Sequence, residues 1–316
     1  MIKYRKRNKE KMKIPYFDAH CDTALPVYET GRSLNKNNFH IDIERLGAYA
    51  PAVQVFSICA PHRAGMVEKT EWVMDELLRQ IRIHGARVML CLSAADIDKA
   101  EAEGKVGAMI SVEGAEKLDC SIENLKKAYE KGLRIVHLTW NHPNLLSGTC
   151  VDGSGLTEKG AEFVGEAQKM GVALDMSHIS EKAFWDIQAI ATKPVLAGHS
   201  NSKTVCDHIR NLSDEQFTAL VKTGGVAGLN MYLDILGHDR DIAAVLRHAE
   251  HFLSLGGEKA ICLGGDLDGI PEMPKGMRGV EDMAKLYEAM LQQNWSEDLV
   301  RDIFYRNLRS FMERAI

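Results

Sequence analysis

The chain has 316 residues, 45% of them hydrophobic, which is enough apolar material for a large core. Its formal charge of -5 at pH 7 gives no basic surface of the kind that binds nucleic acid. No stretch approaches the roughly 20 apolar residues of a membrane-spanning helix, so we expect a cytoplasmic protein without nucleic-acid or membrane partners.

The first residues, MIKYRKRNKEKM, are strongly basic, unlike the rest of the chain. We interpret residues 1–12 as a disordered leader or as the result of a translation start placed too early. A basic arm for nucleic acid or membranes is the alternative. We do not expect a signal peptide, since no apolar segment of about 7–15 residues follows. We predict that residues 13–316 form a single catalytic domain, because no linker rich in Pro, Gly or Ser divides them.

Short apolar runs alternate with stretches of helical period along nearly the whole chain. The predicted strands are the eight runs IPYFDAH, AVQVFSICA, VGAMISVEG, RIVHLTW, VALDMSH, PVLAGHS, GVAGLNM and AICLGGDLDG. A weaker strand pattern, Arg87–Leu92, interrupts the alternation before the third run. The predicted helices are Val67–His84, Ile122–Lys131, Thr157–Met170, Glu181–Ala191, Asp214–Lys222, Ala243–Leu255, Val280–Gln292 and Glu297–Ala315.

The alternation of strands and helices indicates parallel strands joined by helical crossovers. Nearly continuous apolar strands such as VALDM are typical of a sheet that is covered on both faces. An open Rossmann or flavodoxin-like sheet is the alternative, but it would normally carry GxGxxG after its first strand, and none is there. Eight such units therefore predict an α/β fold, the (β/α)8 TIM barrel.

The predicted strands end in many His, Asp and Glu residues, on six of the eight strands. These residues are His20, Asp22, Glu113, His137, His178, His199, Asp266 and Asp268. TIM-barrel active sites form at the carboxyl ends of the strands, so we expect these side chains to meet there. His20 and Asp22 are two residues apart on one strand and share a face, so both can reach one ion.

The types of donor favour zinc. Neutral imidazole is the usual nitrogen ligand of zinc, and the carboxylate of Glu113 can bridge two cations through its two oxygens. Each residue alone is more often a satisfied polar or capping residue, but five donors with one bridging carboxylate suit a pair of ions. Two such ions would share a hydroxide, beside which Asp266 would accept and donate protons.

The cysteines are dispersed without a CxxC pair, which in a chain of this length indicates reduced thiols. Cys21 lies between two candidate ligands, but alternation along a strand would point it away from them. We expect all seven to be small buried core residues: Cys21, Cys59, Cys91, Cys120, Cys150, Cys206 and Cys262.

At these residues the sequence resembles the membrane (renal) dipeptidase family of zinc metallopeptidases, including its cytoplasmic bacterial members. The matching motifs are FDAHCDT, SVEGAE, LTWNHPN, LDMSHIS, GHSN with a later HIRN, and GGDLDG, in family order between residues 17 and 270. The resemblance implies a barrel with two zinc ions per chain, often a homodimer. It also implies hydrolysis of dipeptides by a metal-bridging hydroxide, often with tolerance of a D-residue at the second position.

The resemblance also implies a role for each ligand. His20 and Asp22 would bind one zinc, and His178 and His199 would bind the other. Glu113 would bridge the two ions and so belong to the catalytic residues as well.

The same resemblance makes Asp266 the acid and base that protonates the leaving amine. Arg210 would bind the substrate's terminal carboxylate, a role suited to a guanidinium fork. Trp140 stands where animal relatives have a histidine that contacts the substrate. Either His142 reaches the same space, or Asn141 donates the hydrogen bond that a tetrahedral intermediate needs.

Two other functions stay open. An amidohydrolase acting on a lactam or cyclic amide often bridges its metals with a carboxylated lysine on the fourth strand, whereas RIVHLTW contains no lysine. A non-catalytic binding protein on this barrel would have lost a ligand or Asp266, and all of them are present.

Overall fold

The structure is a computed structural model that describes residues 13–316. The basic leader predicted for residues 1–12 lies outside the described residues. The strands of the described part are β1 Tyr16–Cys21, β2 Ala52–Ile58, β3 Val88–Leu90, β4 Val106–Glu113, β5 Leu133–His137, β6 Ala173–Asp175, β7 Leu196–Ala197, β8 Val226–Leu229 and β9 Ile261–Leu263.

Eight of these strands close into a parallel barrel. The sheet runs in the order β2-β1-β9-β8-β7-β6-β5-β4, and a pairing between β2 and β4 closes the ring. In that pairing Val53 lies opposite Gly107 and Ile58 opposite Val112. The predicted (β/α)8 TIM barrel is therefore confirmed. The weaker pattern at Arg87–Leu92 became β3, a short extra strand that pairs only with the start of β4.

The helices of the described part surround this barrel. They are α1 Ala24–Thr30, α2 Ile43–Leu46, α3 Met66–Ile83, α4 Ala94–Ala102, α5 Ile122–Lys131, α6 Glu158–Met170, α7 Glu181–Ile190, α8 Asp214–Thr223, α9 Leu233–Leu236, α10 Ile242–Ser254, α11 Met283–Gln292, α12 Glu297–Arg301 and α13 Asn307–Ala315. The predictions that match α3, α5, α6, α7, α8 and α10 agree within one residue at each end.

The last two predicted helices need correction. The helix predicted from Val280 begins as a 3₁₀ turn, and only Met283–Gln292 is α-helical. A π-helical turn at Asp302–Arg306 separates α12 from α13, although one helix was predicted there. The short helices α1, α2, α4 and α9 were not predicted, since they contain too few turns for a clear period.

Several of the helices begin at a residue whose side chain caps the first turn. Serine or threonine caps begin α4, α5, α6, α7 and α8, each accepting a hydrogen bond from the backbone N–H three residues later. Each such cap contributes about 1 kcal/mol. These caps fix where each helix starts, and therefore the length of the loop that joins it to the preceding strand.

The barrel interior has its own apolar core, and α13 covers it at the amino ends of the strands. Phe17, Met109 and Ile135 pack inside the barrel with Phe311 of α13. Lys193, which precedes β7, donates to the backbone carbonyl of Ala315 at 3.2 Å and holds α13 there. The opposite end of the barrel, at the carboxyl ends of the strands, carries the polar side chains.

The cysteines are all free, as predicted. Four are buried, whereas Cys120, Cys150 and Cys206 are partly exposed, so the expectation that all seven are buried is wrong for these three. They lie in connecting segments, where neighbouring elements do not cover them. Among residues 13–316, no helix has the length and apolar character needed to cross a membrane.

Candidate metal centre

The five predicted ligands meet at the carboxyl ends of four strands. His20 is in β1 and Asp22 directly follows it, while Glu113 is the last residue of β4. His178 and His199 follow β6 and β7. We call His20 and Asp22 the first donor pair, and His178 and His199 the second donor pair.

Glu113 lies between the two donor pairs. Its Oε1 atom is 3.8 Å from His20 Nε2, 2.9 Å from His178 Nε2 and 3.3 Å from His199 Nε2. Only 2% of the residue is exposed. A single buried carboxylate in contact with histidines from both pairs has the position that a bridging ligand requires.

The unsatisfied polar atoms of the site fit metal ions. His20 Nε2, Asp22 Oδ1 and Glu113 Oε2 are buried without a hydrogen-bond partner among the described residues. His178 Nε2 and His199 Nε2 face each other at 3.0 Å. Buried polar groups are costly when unpaired, and cations would satisfy these nitrogens and oxygens together.

The second donor pair is oriented by a neighbouring amide. His178 Nδ1 lies 2.9 Å from Asn141 Oδ1, so the ring donates from Nδ1 and leaves Nε2 free to act as a ligand. The backbone of His178 has a φ of 72°, in the left-handed region. This turn directs the imidazole back over the barrel towards Glu113.

Asp266 adds a third carboxylate on the side of the first donor pair. Its Oδ1 lies 3.8 Å from His20 Nε2, and its Oδ2 accepts a hydrogen bond from Asn230 at 3.2 Å. Its backbone is also left-handed, with a φ of 58°. A side chain at Gly269 would collide with the carboxylates of both Asp22 and Asp266, so this position requires glycine.

Burial and crowded carboxylates shift the pKa values of the site in opposite directions. Burial lowers the pKa of His20, but Glu113, Asp22 and Asp266 outweigh it and raise this pKa to about 10. Burial and the nearby Glu113 raise the pKa of Asp22 to about 7. Burial and the Arg210 charge lower the pKa of His178 to about 3. The carboxylates of Asp22, Glu113 and Asp266 all lie within 3.8 Å of His20 Nε2, and such a cluster of acidic groups favours a cation beside the first donor pair.

A cavity of about 380 Å³ opens above these residues. Asp22, Glu113, His178 and Asp266 form part of its wall together with Trp140, Asn141, Arg210, Asn230 and Tyr232. No ion pair between described residues engages the Arg210 guanidinium, and burial lowers its pKa. A cation placed in this way is available to bind an anionic group of a ligand.

His142 lies elsewhere. It is not among the residues that line the cavity, because its ring packs against His62 with the ring centres 4.6 Å apart. The structure thus brings Trp140 and Asn141, but not His142, to the cavity. Of the two residues considered for the hydrogen bond to the substrate, Asn141 has the better position.

Two further residues adjoin the site: His137, which we expected at the strand ends without a defined role, and Asn230, which the sequence did not single out. His137 is fully buried opposite Glu113 in the parallel register, with its ring centre 5.3 Å from that of His20. Asn230, just after β8, holds Asp266. Both residues lie near the ends of predicted strand runs, RIVHLTW and GVAGLNM, and this position at a strand end is the signal that would have pointed to Asn230 as well.

Comparison with known proteins agrees with this geometry. The sequence model of the membrane dipeptidase family, peptidase family M19, matches residues 5–315. The chain belongs to this family. The M19 family resemblance stated from the motifs is therefore confirmed, and the chain is a metal-dependent dipeptidase of the hydrolase class.

Three relatives place this M19 peptidase among known proteins. An uncharacterized protein in the pqqA 5' region of Klebsiella pneumoniae is 33% identical over 253 residues, which is 75% of this chain and 92% of the relative. The crystal structure of dipeptidase AC, an M19 metallopeptidase, has a TM-score of 0.89 and 28% identity over 96% of this chain and 99% of its own.

A metallopeptidase from Rhodobacter sphaeroides, crystallised with a phosphinate mimic of the dipeptide L-Ala-D-Ala, has a TM-score of 0.88. It is 26% identical, and the match covers 96% of this chain and all of the other (100%). The barrel fold is thus shared with both crystal structures over nearly the whole length of each chain.

Proposed function

We propose that this M19 peptidase uses two zinc ions to hydrolyse dipeptides that have a free C-terminal carboxylate, including dipeptides with a C-terminal D-residue. The observation that carries the proposal is the position of Glu113, which contacts histidines of both donor pairs from one buried carboxylate. Imidazole and carboxylate donors in this number suit a pair of zinc ions.

The first donor pair would hold one ion, the second donor pair the other, and Glu113 both. When bound, such ions polarise a carbonyl group and make a water molecule acidic enough to react at neutral pH. The protein's own contribution is to fix these donors in a largely buried site. Asn141 contributes by setting the tautomer and the orientation of His178.

Asp266 is the proton-transfer residue in this proposal. Its carboxylate lies beside the first donor pair at the edge of the cavity, where Asn230 orients one oxygen. Burial raises the pKa of Asp266, which brings this carboxyl group closer to the range in which it both accepts and returns a proton. It would take a proton from the attacking water and deliver it to the departing amine.

Arg210 is, in this proposal, the residue that binds the C-terminal carboxylate of the substrate. Its guanidinium group faces the same cavity as Glu113 and Asp266, and a guanidinium fork binds a carboxylate through two parallel hydrogen bonds. The cavity is at the small end of the range for ligand pockets, about 300–1,000 Å³, which suits a dipeptide better than a long peptide. The L-Ala-D-Ala mimic bound by the Rhodobacter sphaeroides relative supports a C-terminal D-residue here.

The test combines metal analysis with cleavage of L-Xaa-L-Xaa and L-Xaa-D-Xaa dipeptides, before and after chelation. We expect two zinc ions per chain and cleavage that a chelator abolishes. In the variant Asp266→Asn, kcat should fall by about 10²- to 10⁴-fold while zinc content stays the same.

Loss of zinc from Asp266→Asn would instead show that Asp266 has a structural role. Protein that binds two zinc ions but cleaves no dipeptide would overturn the proposed substrate. The homodimer predicted from the resemblance stays a prediction, which sedimentation analysis of the full chain can test.

A further inference from the structure

Cys59, which we expected to be a buried core residue, lies beside the candidate metal centre. Cys59 directly follows β2, and the two barrel neighbours of β2 are β1 and β4, which position Asp22 and Glu113. Parallel strands that are neighbours in a barrel end at the same rim, so the three side chains converge. The Cys59 Sγ atom and one carboxylate oxygen each of Asp22 and Glu113 all lie within 4.8 Å of one another.

A second observation points to a ligand at this place. Glu113 Oε2 and Asp22 Oδ1 are buried acceptors without a hydrogen-bond partner among the described residues. Glu113 itself is only 2% exposed. Unpaired carboxylate oxygens beside a sulfur atom form a donor set that a thiophilic divalent cation satisfies.

We propose that Cys59 is a ligand of the metal ion held by the first donor pair and Glu113. The inference rests on the metal centre proposed above and adds a thiolate to it. At a tetrahedral zinc ion, a zinc–sulfur bond of about 2.3 Å and a zinc–oxygen bond of about 2.0–2.2 Å place the sulfur about 3.6 Å from the oxygen. The three donor atoms already lie within 4.8 Å of one another, so side-chain movements of up to about 1 Å would let one ion bind the sulfur and the carboxylates together.

The chemical consequence is a preference for soft metals on this side of the centre. Thiolate ligands select zinc and related ions, whereas carboxylate and water alone also suit manganese and magnesium. Metal binding converts the Cys59 thiol into a thiolate and releases its proton to solvent. The ion held by the second donor pair would have nitrogen and oxygen ligands only.

Cadmium substitution of the full-length protein tests this assignment by spectroscopy rather than by activity. The measurement is ultraviolet absorption during cadmium titration, with the bound metal counted by mass spectrometry. Wild-type protein should develop a thiolate-to-cadmium charge-transfer band that saturates at one ion per chain. The variant Cys59→Ser should bind cadmium without this band.

Cys150→Ser is the matched control, because Cys150 lines the same cavity next to the second donor pair, where its backbone N–H bonds to His178 at 2.8 Å. This variant should keep the band. A band that survives Cys59→Ser, or that disappears in Cys150→Ser, overturns the assignment.

The X-ray absorption fine structure of cadmium-loaded wild-type protein measures the distances from cadmium to its ligands, so this test needs no variant. A cadmium–sulfur distance supports the Cys59 ligand, and cadmium bound by nitrogen and oxygen alone contradicts it while leaving the metal centre intact. Failure of the wild-type protein to bind cadmium or zinc would overturn the metal centre itself.

Discussion

The two donor pairs supply similar chemistry from very different backbones. His20 belongs to β1, a strand of six residues, and Asp22 follows it directly. His178 and His199 follow strands of only three and two residues, and His178 needs a left-handed φ of 72° to reach Glu113. The first pair is held by regular strand geometry, whereas the second depends on loops and on the neighbouring Asn141.

The two donor pairs also differ in the charged residues that surround them. Glu113 and Asp266 surround His20 and raise its pKa, whereas Arg210 stands near His178 and, with burial, lowers its pKa. A cation is therefore attracted more strongly to the first donor pair. We infer that the first pair holds its metal more tightly, and the following changes should separate the two pairs.

Removing Glu113, the ligand shared by both donor pairs, should abolish the difference in metal affinity between the pairs together with the activity. In Glu113→Ala both donor pairs lose their common carboxylate, so we expect the protein to lose at least one metal ion. The value of kcat/KM should fall by more than about 10²–10³-fold, the loss typical of removing one electrostatic catalytic group. Glu123→Ala, which removes an exposed carboxylate at the start of α5, should change neither property. An active Glu113→Ala enzyme with two metals would rule out the bridge.

Removing the positive charge beside the second pair should affect the substrate more than the metal. We expect Arg210→Met to lower kcat/KM for dipeptides by about 10- to 150-fold, the equivalent of about 1.5–3 kcal/mol for hydrogen bonds to a charged group. Dipeptide amides test the same contact because they lack the terminal carboxylate. The wild-type enzyme should cleave them less well than free dipeptides, whereas Arg210→Met should not distinguish the two. Arg247→Met, on the exposed side of α10, is the control. Discrimination that survives Arg210→Met would place carboxylate recognition elsewhere.

The smallest change should act on the second pair alone. Asn141→Ala removes the acceptor that orients His178, so the metal at the second pair should bind about 10- to 100-fold more weakly. Chelator titration should show an early and a late ion in the wild type, with only the early one shifted in the variant. A shift of the late ion, or of both, would contradict the separation of the two pairs.

The sequence was sufficient to predict the barrel and to place His20 and Asp22 on one face of a strand, because both predictions rest on regular periods. Strand and helix alternation predicted eight barrel strands, and the spacing of His20 and Asp22 predicted a shared face. A ligand role became a specific prediction only for the whole set, together with the family motifs: His20, Asp22, Glu113, His178 and His199.

What could not be predicted depends on loop conformation and on register between distant strands. The ring of His142 turns towards His62, away from the cavity. The two residues are far apart in the sequence, so the pattern around either one could not predict this contact. Cys59 adjoins the centre because β2 flanks β4, a relation that only the closed barrel defines. The segment between β1 and β2 was predicted without helices because α1 and α2 are so short.

The left-handed backbones of His178 and Asp266 have a consequence for the evolution of heat tolerance. Holding a residue other than glycine in this region costs of order 1–3 kcal/mol, and here the cost falls on two residues of the centre. Selection of variants for thermal resistance alone would therefore favour glycine or asparagine at these two positions. The resulting proteins would be more stable to heat but inactive. A screen for robust variants must retain catalysis as a criterion, because at these positions stability and turnover make opposite demands.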